Sequence, residues 1–203
     1  GCDVPETIIL ADGDFPSHPL ALEWLRQCPY VVCCDGAANT YIRSGRMPEA
    51  IVGDGDSLLP DIKERYASLI HSEAEQETND LSKAFRFCLS QERKRITIMG
   101  ATGKREDHTI GNVSLLADYM EQAEVSMVTD YGIFVPIRED SMFESYIGQQ
   151  ISVFNMNSTA LSAEGLAYPL SVFTNWWQGT LNEALARHFI IRTEGKVLVF
   201  RVF

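Results

Sequence analysis

The sequence is poor in basic residues: 17 lysines and arginines stand against 28 aspartates and glutamates, so the formal net charge is -11. A charge of this sign argues against a broad nucleic-acid-binding surface and against a polybasic membrane patch. An anionic substrate would therefore need a local cluster of hydrogen-bond donors or a bound cation. We expect neither nucleic acid nor a membrane among the partners.

The sequence also has no apolar run that approaches the length of a membrane span, and its first residues lack the basic and apolar regions of a secretory signal. Its five cysteines fit neither an even disulfide framework nor the paired spacing of a zinc site. Buried free thiols in a reducing compartment are the simpler interpretation, so we expect a cytoplasmic protein.

The first part of the chain alternates short β-rich runs with helical patterns, and this alternation predicts a parallel sheet with crossover helices. Asn79 is the predicted N-cap of a helix that begins at Asp80. The predicted strands cover 7–13, 30–36, 50–56, 95–101 and 125–130, and the predicted helices cover 20–28, 61–70, 80–92 and 109–123.

After about Gly132 the pattern changes to successive strands without convincing helices, which predicts a small antiparallel sheet or sandwich. The glycine in Glu194–Val197 predicts a hairpin turn. We therefore expect an α/β protein in two parts: an α/β domain over 1–132 with a parallel, nucleotide-binding sheet, and a smaller antiparallel β-sandwich over 133–203.

Four aspartates fall at the ends of predicted strands or the starts of predicted helices: Asp35, Asp54, Asp56 and Asp80. Because the carboxyl ends of parallel strands form the crevice where open α/β sheets bind ligands, we expect these side chains to converge. Their hard oxygen atoms suit Mg²⁺. For any one of them alone, ordinary turn chemistry is the better explanation, but four at strand ends favour a site.

A glycine-rich segment, GATGKREDHTIGN at 100–112, follows a predicted strand directly. Its glycines permit close backbone approach to a phosphate, Lys104 and Arg105 supply positive charge, and the following helix start offers free amides. The segment is neither a Walker loop nor a dinucleotide fingerprint. His108 is either a metal ligand or base, or a capping group.

Together, CCDGAAN, PEAIVGDGDS, QETNDLSKAF and GATGKREDHTIGN resemble the motif set of the thiamine pyrophosphokinase family, as do the later segments GLAYPL and GTLNE. The resemblance implies transfer of diphosphate from ATP, with Mg²⁺, to thiamine. It also implies a nucleotide-binding α/β domain, a thiamine-binding β-sandwich, and a homodimer with active sites between the subunits.

The resemblance also assigns residues. It implies Asp35, Asp54, Asp56 and Asp80 as catalytic residues, the last three of them on Mg²⁺. It implies nucleotide contacts from Gly36, Asn39, Gly103, Lys104, Arg105, Asp107, His108 and Asn112, and thiamine contacts from Gln76, Thr180 and Asn182.

The chain departs from the family pattern at three places. Lys104 stands where a second glycine is frequent, Asn79 where threonine is frequent, and Leu181 where a serine commonly precedes the asparagine. Trp176 and Trp177 could stack on a thiamine ring, or one could be buried and the other lie at an interface.

Two other functions remain open. DGDSL resembles the nucleophile motif of haloacid-dehalogenase-like phosphatases, but that motif follows the first strand of its domain, and here two strand candidates precede it. A non-catalytic nucleotide or thiamine sensor is the third possibility. The retention of all four acids and of the arginine loop speaks against a sensor.

Overall fold

The computed structural model describes residues 4–72 and 78–203. The chain forms two compact units: the first comprises the described residues up to 115 together with 122–130, and the second comprises 116–121 and 131–203. In the described part of the chain, no helix is both long and apolar enough to cross a membrane.

Strands and helices alternate through residue 128. The strands are β1 (Thr7–Leu10), β2 (Val31–Cys34), β3 (Ala50–Val52), β4 (Ile70–His71), β5 (Arg95–Met99) and β6 (Glu124–Val128). The helices are α1 (Pro19–Gln27), α2 (Ala37–Arg43), α3 (Pro60–Arg65), α4 (Asp80–Ser90) and α5 (Glu106–Tyr119), and a 3₁₀ turn covers Ala67–Leu69.

The six strands lie in the order β6-β5-β1-β2-β3-β4 and every pair is parallel. Every residue of β1 and of β2 is buried, as expected for parallel strands that are covered on both faces. The chain runs from β1 outward to β4 and then returns to place β5 on the other side of β1. The order therefore reverses between β1 and β5, and such a switch point opens a crevice beyond the carboxyl ends of the strands.

Local signals account for the helix starts. Pro19 opens α1, where a missing amide donor costs nothing. The predicted cap at Asn79 is confirmed, because its side chain accepts a hydrogen bond from the Ser82 amide at 2.9 Å.

Two predicted helices were wrong in extent. The helix predicted over 61–70 ends at Arg65, because Ile70 pairs with Ile51 of the sheet as part of β4. The helix predicted over 109–123 begins at Glu106 and ends at Tyr119.

The second unit contains two antiparallel sheets. The strands are β7 (Gly132–Ile137), β8 (Ser141–Glu144), β9 (Gln150–Asn155), β10 (Leu161–Glu164), β11 (Asn182–Glu183), β12 (His188–Thr193) and β13 (Val197–Val202). One sheet has the order β11-β9-β13-β7 and the other β10-β12-β8. Both sheets bury apolar side chains in one core, for example Val153 and Val199 from the first and Phe189 and Ile191 from the second.

The hairpin predicted at Glu194–Val197 was wrong. Gly195 does turn the chain, with a φ of 123° that favours glycine. However, β12 pairs with β8 and β10, whereas β13 pairs with β7 and β9. The turn therefore carries the chain from one sheet of the sandwich to the other. The predicted fold class, a parallel α/β part followed by a smaller antiparallel sandwich, is confirmed.

Candidate active site

A cavity of about 430 Å³ lies at the switch point between β1 and β5. Its wall is made by the loops that follow these two strands, by the start of α4 and by the first turns of α5. The side chains that could act on a ligand there are Asp12, Cys34, Asn79, Asp80, Lys104, Arg105, Asp107, His108, Thr109 and Asn112.

The loops after β1 and β5 are joined along their backbones. The Gly13 amide donates to the Gly100 carbonyl at 2.6 Å, and the Asp14 amide donates to the Thr102 carbonyl at 2.9 Å. Gly103 has a φ of 91°, and a Cβ there would lie 2.7 Å from the Asp14 carboxyl carbon. Glycine is therefore needed at 103 both for the backbone conformation and for the close approach.

Asp80 stands in the first turn of α4, where the helix dipole favours a carboxylate. Partial burial raises the pKa of Asp80, and the ammonium group of Lys83 opposes part of that rise. Lys83 is only 8% exposed and lies on the same helix face, one turn further along. A buried lysine beside a half-buried aspartate is a costly arrangement, and such charges concentrate at functional sites.

Asp35 follows β2 directly and is buried. Its φ of 39° is unusual for a residue with a side chain, and the strained turn directs its carboxylate to Ser57, whose amide donates to Oδ1 at 3.2 Å. Burial raises the pKa of Asp35 to about 6, and a hydrogen bond with the Asp54 carboxyl group adds to the rise.

Asp54 and Asp56 lie in the loop after β3 and are exposed. The Asp56 amide donates to Asp54 Oδ1 at 2.9 Å, and this hydrogen bond lowers the pKa of Asp54. The three acidic segments are close because Gly53 has no side chain: a Cβ there would lie 3.3 Å from Asp80 Oδ2 and 3.4 Å from Asp35 Oδ2. The structure therefore brings Asp35, Asp54 and Asp80 together across the ends of β2, β3 and α4.

These carboxylates fit a divalent cation chemically. Within residues 4–72 and 78–203, no three histidine, cysteine, aspartate or glutamate side chains form a preformed metal site. Mg²⁺ does not need one, since it usually keeps several waters and takes one or two carboxylates together with substrate phosphates. The exposed carboxylate of Asp54, close to two partly or fully buried ones, supplies hard oxygen ligands and an excess of like charge that a cation would relieve.

Arg105 is paired with Asp107 rather than free. Its Nε and one terminal nitrogen donate to the two carboxylate oxygens of Asp107 at 3.2 and 2.7 Å, and this pairing lowers the pKa of Asp107. The His108 amide also donates to Asp107 Oδ1, at 3.0 Å. All three side chains are exposed, and all three line the cavity.

Asn112 joins two walls of the cavity. Its amide nitrogen donates to the Ala101 carbonyl at 2.9 Å, and its Oδ1 accepts from the Asn79 side chain at 3.1 Å. Asn39 likewise makes two hydrogen bonds to the backbone of the loop after β3. Its side chain donates to the Ser57 carbonyl and accepts from the Leu59 amide. Neither asparagine has a side-chain amide that is free of protein contacts, so nucleotide binding by either stays a prediction.

Thr180 and Asn182 belong to the second unit. The Asn182 side chain is 4% exposed and both its oxygen and its nitrogen bond to the backbone of Tyr168. Leu181 between them has a φ of 64° and is 82% exposed, an unusual combination for leucine. Thiamine contacts from Thr180 and Asn182 stay a prediction, and Gln76 lies outside the described residues.

Trp176 and Trp177 are both exposed in the single chain, at 50% and 69%. Trp176 packs edge-on against Phe154 with ring centroids 6.3 Å apart. The alternative in which one of the two tryptophans is buried is therefore wrong for this chain.

Sequence reasoning missed two charged residues. Asp12 follows β1 in the segment LADG, the same aspartate-glycine signal at a strand end that identified Asp35. Lys83 lies three residues after Asp80, a spacing that places both on one helix face. Both signals can be read from the sequence alone.

Comparison with known proteins gives two family models that match consecutive parts of the chain. The model described as "Thiamin pyrophosphokinase, catalytic domain" matches residues 21–129, and the one described as "Thiamin pyrophosphokinase, substrate-binding domain" matches residues 132–200.

Individual relatives agree with these models. Thiamine pyrophosphokinase 1 of Oryza sativa subsp. japonica is 30% identical over 129 residues, which cover 51% of this chain and 49% of that protein. Thiamin pyrophosphokinase 1 of Caenorhabditis elegans is 31% identical over 110 residues, covering 50% of this chain and 45% of that protein. The chain spans about half the length of these curated relatives.

The crystal structure of thiamine pyrophosphokinase from Bacillus subtilis matches with a TM-score of 0.80 over 97% of this chain and 98% of that chain, at 20% identity. At this identity the likeness shows the fold alone.

Proposed function

The chain belongs to the thiamin pyrophosphokinase family, and we propose that it transfers diphosphate from Mg-ATP to the hydroxyl group of thiamine, giving thiamine diphosphate and AMP. The observation that carries the proposal is the arrangement at the ends of the parallel strands. Asp80, one of a cluster of carboxylates from three segments, lines a cavity that Lys104 and Arg105 also line. Such a site combines cation-binding and polyphosphate-binding groups.

The two basic residues of the cavity would hold the nucleotide. Lys104 and Arg105 follow a glycine-rich loop and immediately precede α5. The first turns of α5 line the cavity, and the free amides at the start of a helix favour an anion. In the free protein Arg105 is neutralised by Asp107. Phosphate would compete with that exposed carboxylate for the guanidinium group, which binds phosphate in a bidentate manner.

The cluster of carboxylates would organise the reacting phosphates of the nucleotide and the hydroxyl group of thiamine. Asp54, Asp56 and Asp80 are the residues that would hold Mg²⁺, which supplies charge neutralisation on phosphate oxygens when it is bound. One of Asp35 and Asp80, the two more buried acids, would accept the hydroxyl proton of thiamine. Gly53 keeps the space between them open.

The chemical change is a single displacement. The thiamine hydroxyl oxygen forms a bond to the β-phosphorus of ATP, the bond from that phosphorus to the α,β-bridging oxygen breaks, and AMP leaves with both electrons of the broken bond. The hydroxyl proton goes to a carboxylate of the site. Positioning and charge stabilisation supply most of the rate in reactions of this kind.

The remaining assignments follow from the same proposal. The α/β part, over 1–132, would bind the nucleotide and Mg²⁺ and would contribute Gln76 to the thiamine site, and the sandwich, over 133–203, would bind thiamine with Thr180 and Asn182. A homodimer with active sites between subunits and a cytoplasmic location stay predictions.

The proposal is tested by incubating the protein with Mg-ATP and thiamine and resolving the products by chromatography and phosphorus NMR. We expect AMP and thiamine diphosphate in equal amounts, and their formation should be at least about 100-fold slower in Asp54→Asn. Asp118→Asn, an equal charge change on an exposed residue of α5, should keep full activity. ADP would indicate an ordinary kinase and free phosphate a phosphatase. Binding of both ligands without any product would indicate a sensor.

A further inference from the structure

One face of α5 lines the cavity over the first two turns of the helix. His108, Gly111 and Asn112 lie on that face, and their separations of three and four residues place them one above another along the helix. His108 and Gly111 are both exposed. This face therefore offers a ligand an aromatic ring and, about 4.5 Å further along the helix axis, a residue without a side chain.

Gly111 is a glycine that the fold does not require. It lies in the interior of the 14-residue helix α5, and its φ is outside the left-handed region that favours glycine. Glycine destabilises a helix interior relative to alanine, because it loses more conformational freedom on folding. Within the described residues, a Cβ at 111 would meet no atom within 4 Å other than the backbone of its own helix and its two chain neighbours. The space over Gly111 is therefore open, and no packing contact explains the absence of a side chain.

The imidazole of His108 makes no hydrogen bond and no ring contact in the part of the chain that the structure describes. Only the backbone amide of this residue is bonded, to the Asp107 carboxylate. The His108 side chain also stays more than 4 Å from the Cβ position of Gly111, so it leaves the space over that glycine open. An exposed aromatic ring at the edge of a cavity can stack on a heteroaromatic ligand.

The residues along this side of the cavity lose their charge from the start of α5 to its second turn. Lys104 and Arg105 stand just before the helix, whereas Gly111 and Asn112 in the second turn are uncharged. The Asn112 side chain donates to the Ala101 carbonyl at 2.9 Å, which places this buried alanine beside the second turn. A nucleotide has the same division, because its polyphosphate is charged and its base is a flat, uncharged ring.

We propose that this face of α5 holds the purine ring of the nucleotide, with the ring stacked on the imidazole of His108 and lying over Gly111. The inference rests on the proposed function, because it names the part of the cavity that the base of ATP would occupy. The polyphosphate would then extend toward Lys104 and Arg105. A larger side chain at 111 would fill the space that the base needs, and this accounts for a glycine in the helix interior.

The first test separates the base from the phosphates by comparing two ligands. Calorimetry measures the affinity of each protein for α,β-methylene-ATP and for inorganic tripolyphosphate, both with Mg²⁺ and without thiamine. We expect His108→Ala to weaken nucleotide binding about tenfold, as for loss of one stacked base, and to leave tripolyphosphate binding within about twofold. His108→Phe keeps a ring and should bind the nucleotide within about threefold of the native protein. His108→Gln keeps hydrogen-bonding groups without a ring and should behave as His108→Ala.

The second test concerns the space over Gly111. Gly111→Ala should raise the midpoint of thermal unfolding by about 2–4 °C, because alanine is the better helix former and its methyl group meets open space. Gly111→Leu should weaken nucleotide binding at least about tenfold, as for overpacking of a binding site, and leave tripolyphosphate binding within about twofold. Ile110→Ala, a change at an exposed neighbour that does not line the cavity, should leave both affinities unaltered.

Four results would overturn the inference. They are equal losses of affinity for the two ligands in His108→Ala, failure of His108→Phe to keep nucleotide binding, native nucleotide affinity in Gly111→Leu, and a lower midpoint of thermal unfolding in Gly111→Ala. If the His108 variants changed the affinity for thiamine and not for the nucleotide, this face would belong to the thiamine site and the inference would also fall. Retained tripolyphosphate binding shows that a variant is folded.

The same measurements distinguish this inference from the proposed function. Absence of binding of either ligand by the native protein would overturn both. If the nucleotide binds with the expected pattern but no thiamine diphosphate forms, the purine site stands and the proposed transfer falls. If thiamine diphosphate forms and the His108 and Gly111 variants bind the nucleotide as the native protein does, the transfer stands and the purine site falls.

Discussion

Asn79 and Asn112 are joined by a side-chain hydrogen bond in which the Asn79 amide donates to Asn112 Oδ1 at 3.1 Å. Asn79 also caps α4, and Asn112 also donates to the backbone of the loop after β5. One pair of side chains therefore connects the helix that carries Asp80 with the glycine-rich loop and with α5. At position 79, where the resemblance leads us to expect threonine, asparagine serves two purposes at once.

The two purposes can be separated by substitution. Asn79→Ala removes the cap and the link, and we expect it to lower the free energy of unfolding by about 1 kcal/mol. Asn79→Thr keeps a capping oxygen and loses only the link, so we expect a loss below about 0.5 kcal/mol in urea unfolding but a measurable rise in KM for ATP. Equal stability losses in both variants would contradict the separation.

Asp54 should be essential for turnover and dispensable for folding. Its side chain is exposed, so Asp54→Asn should change the free energy of unfolding by less than about 0.5 kcal/mol. Because the substitution removes a charged oxygen proposed to bind Mg²⁺, we expect a loss of turnover of at least about 100-fold. Titration with Mn²⁺ monitored by electron paramagnetic resonance gives an independent readout, and unchanged Mn²⁺ affinity would exclude Asp54 as a ligand.

Lys83 should lower the pKa of Asp80 in the active protein. Lys83→Met fills the same space without the charge, so the pKa of Asp80 should rise, since the ammonium group normally opposes its elevation. If activity requires ionised Asp80, the acid limb of the pH–rate profile should move to higher pH. Lys83→Arg keeps the charge and should leave the limb in place. If the acid limb of the pH–rate profile does not move in Lys83→Met, the electrostatic effect of Lys83 on Asp80 is contradicted.

Asp130 should make stability depend on pH in acid. Its carboxylate accepts hydrogen bonds from the Ser17 amide, the Ser17 hydroxyl and the His18 amide. Partial burial raises the pKa of Asp130, but these hydrogen bonds outweigh burial and leave the pKa below its usual value. A lowered folded-state pKa contributes stability above the unfolded pKa of about 3.9, and that stability is lost as the pH falls through the folded value.

Asp130→Asn tests this dependence. At pH 7 the variant should be less stable than the native protein by about 1 kcal/mol, a modest value because the carboxylate is partly solvated. The difference should shrink as the pH falls below the unfolded pKa of about 3.9 and through the lower pKa of native Asp130. Urea unfolding across this pH range measures the difference in free energy of unfolding between the two proteins. A difference that does not change with pH would mean that packing, and not the charge of Asp130, provides the stability. Ser17→Ala, which removes one of the three donors, should show a smaller loss.

Local patterns predicted most elements of the fold. The strands β1 and β2 were expected because their apolar runs are continuous, and the cap at Asn79 because its side chain can satisfy a free amide of the helix it precedes. Where the prediction was wrong, a long-range contact prevailed. Ile70 joined a strand because Ile51 was available as a partner, and the turn at Gly195 changed sheets because both strands could bury apolar faces in a shared core.

The sequence by itself determined which chemical groups are available: acids at strand ends, a glycine-rich loop with two cations, and the periodic patterns that make strands and helices. Only the tertiary structure decided which of them meet. Asp12 and Lys104 are 92 residues apart in the chain and become neighbours because β1 and β5 are adjacent in the sheet. Strand order is set by the burial of whole faces and by chain crossovers, and no local pattern records it.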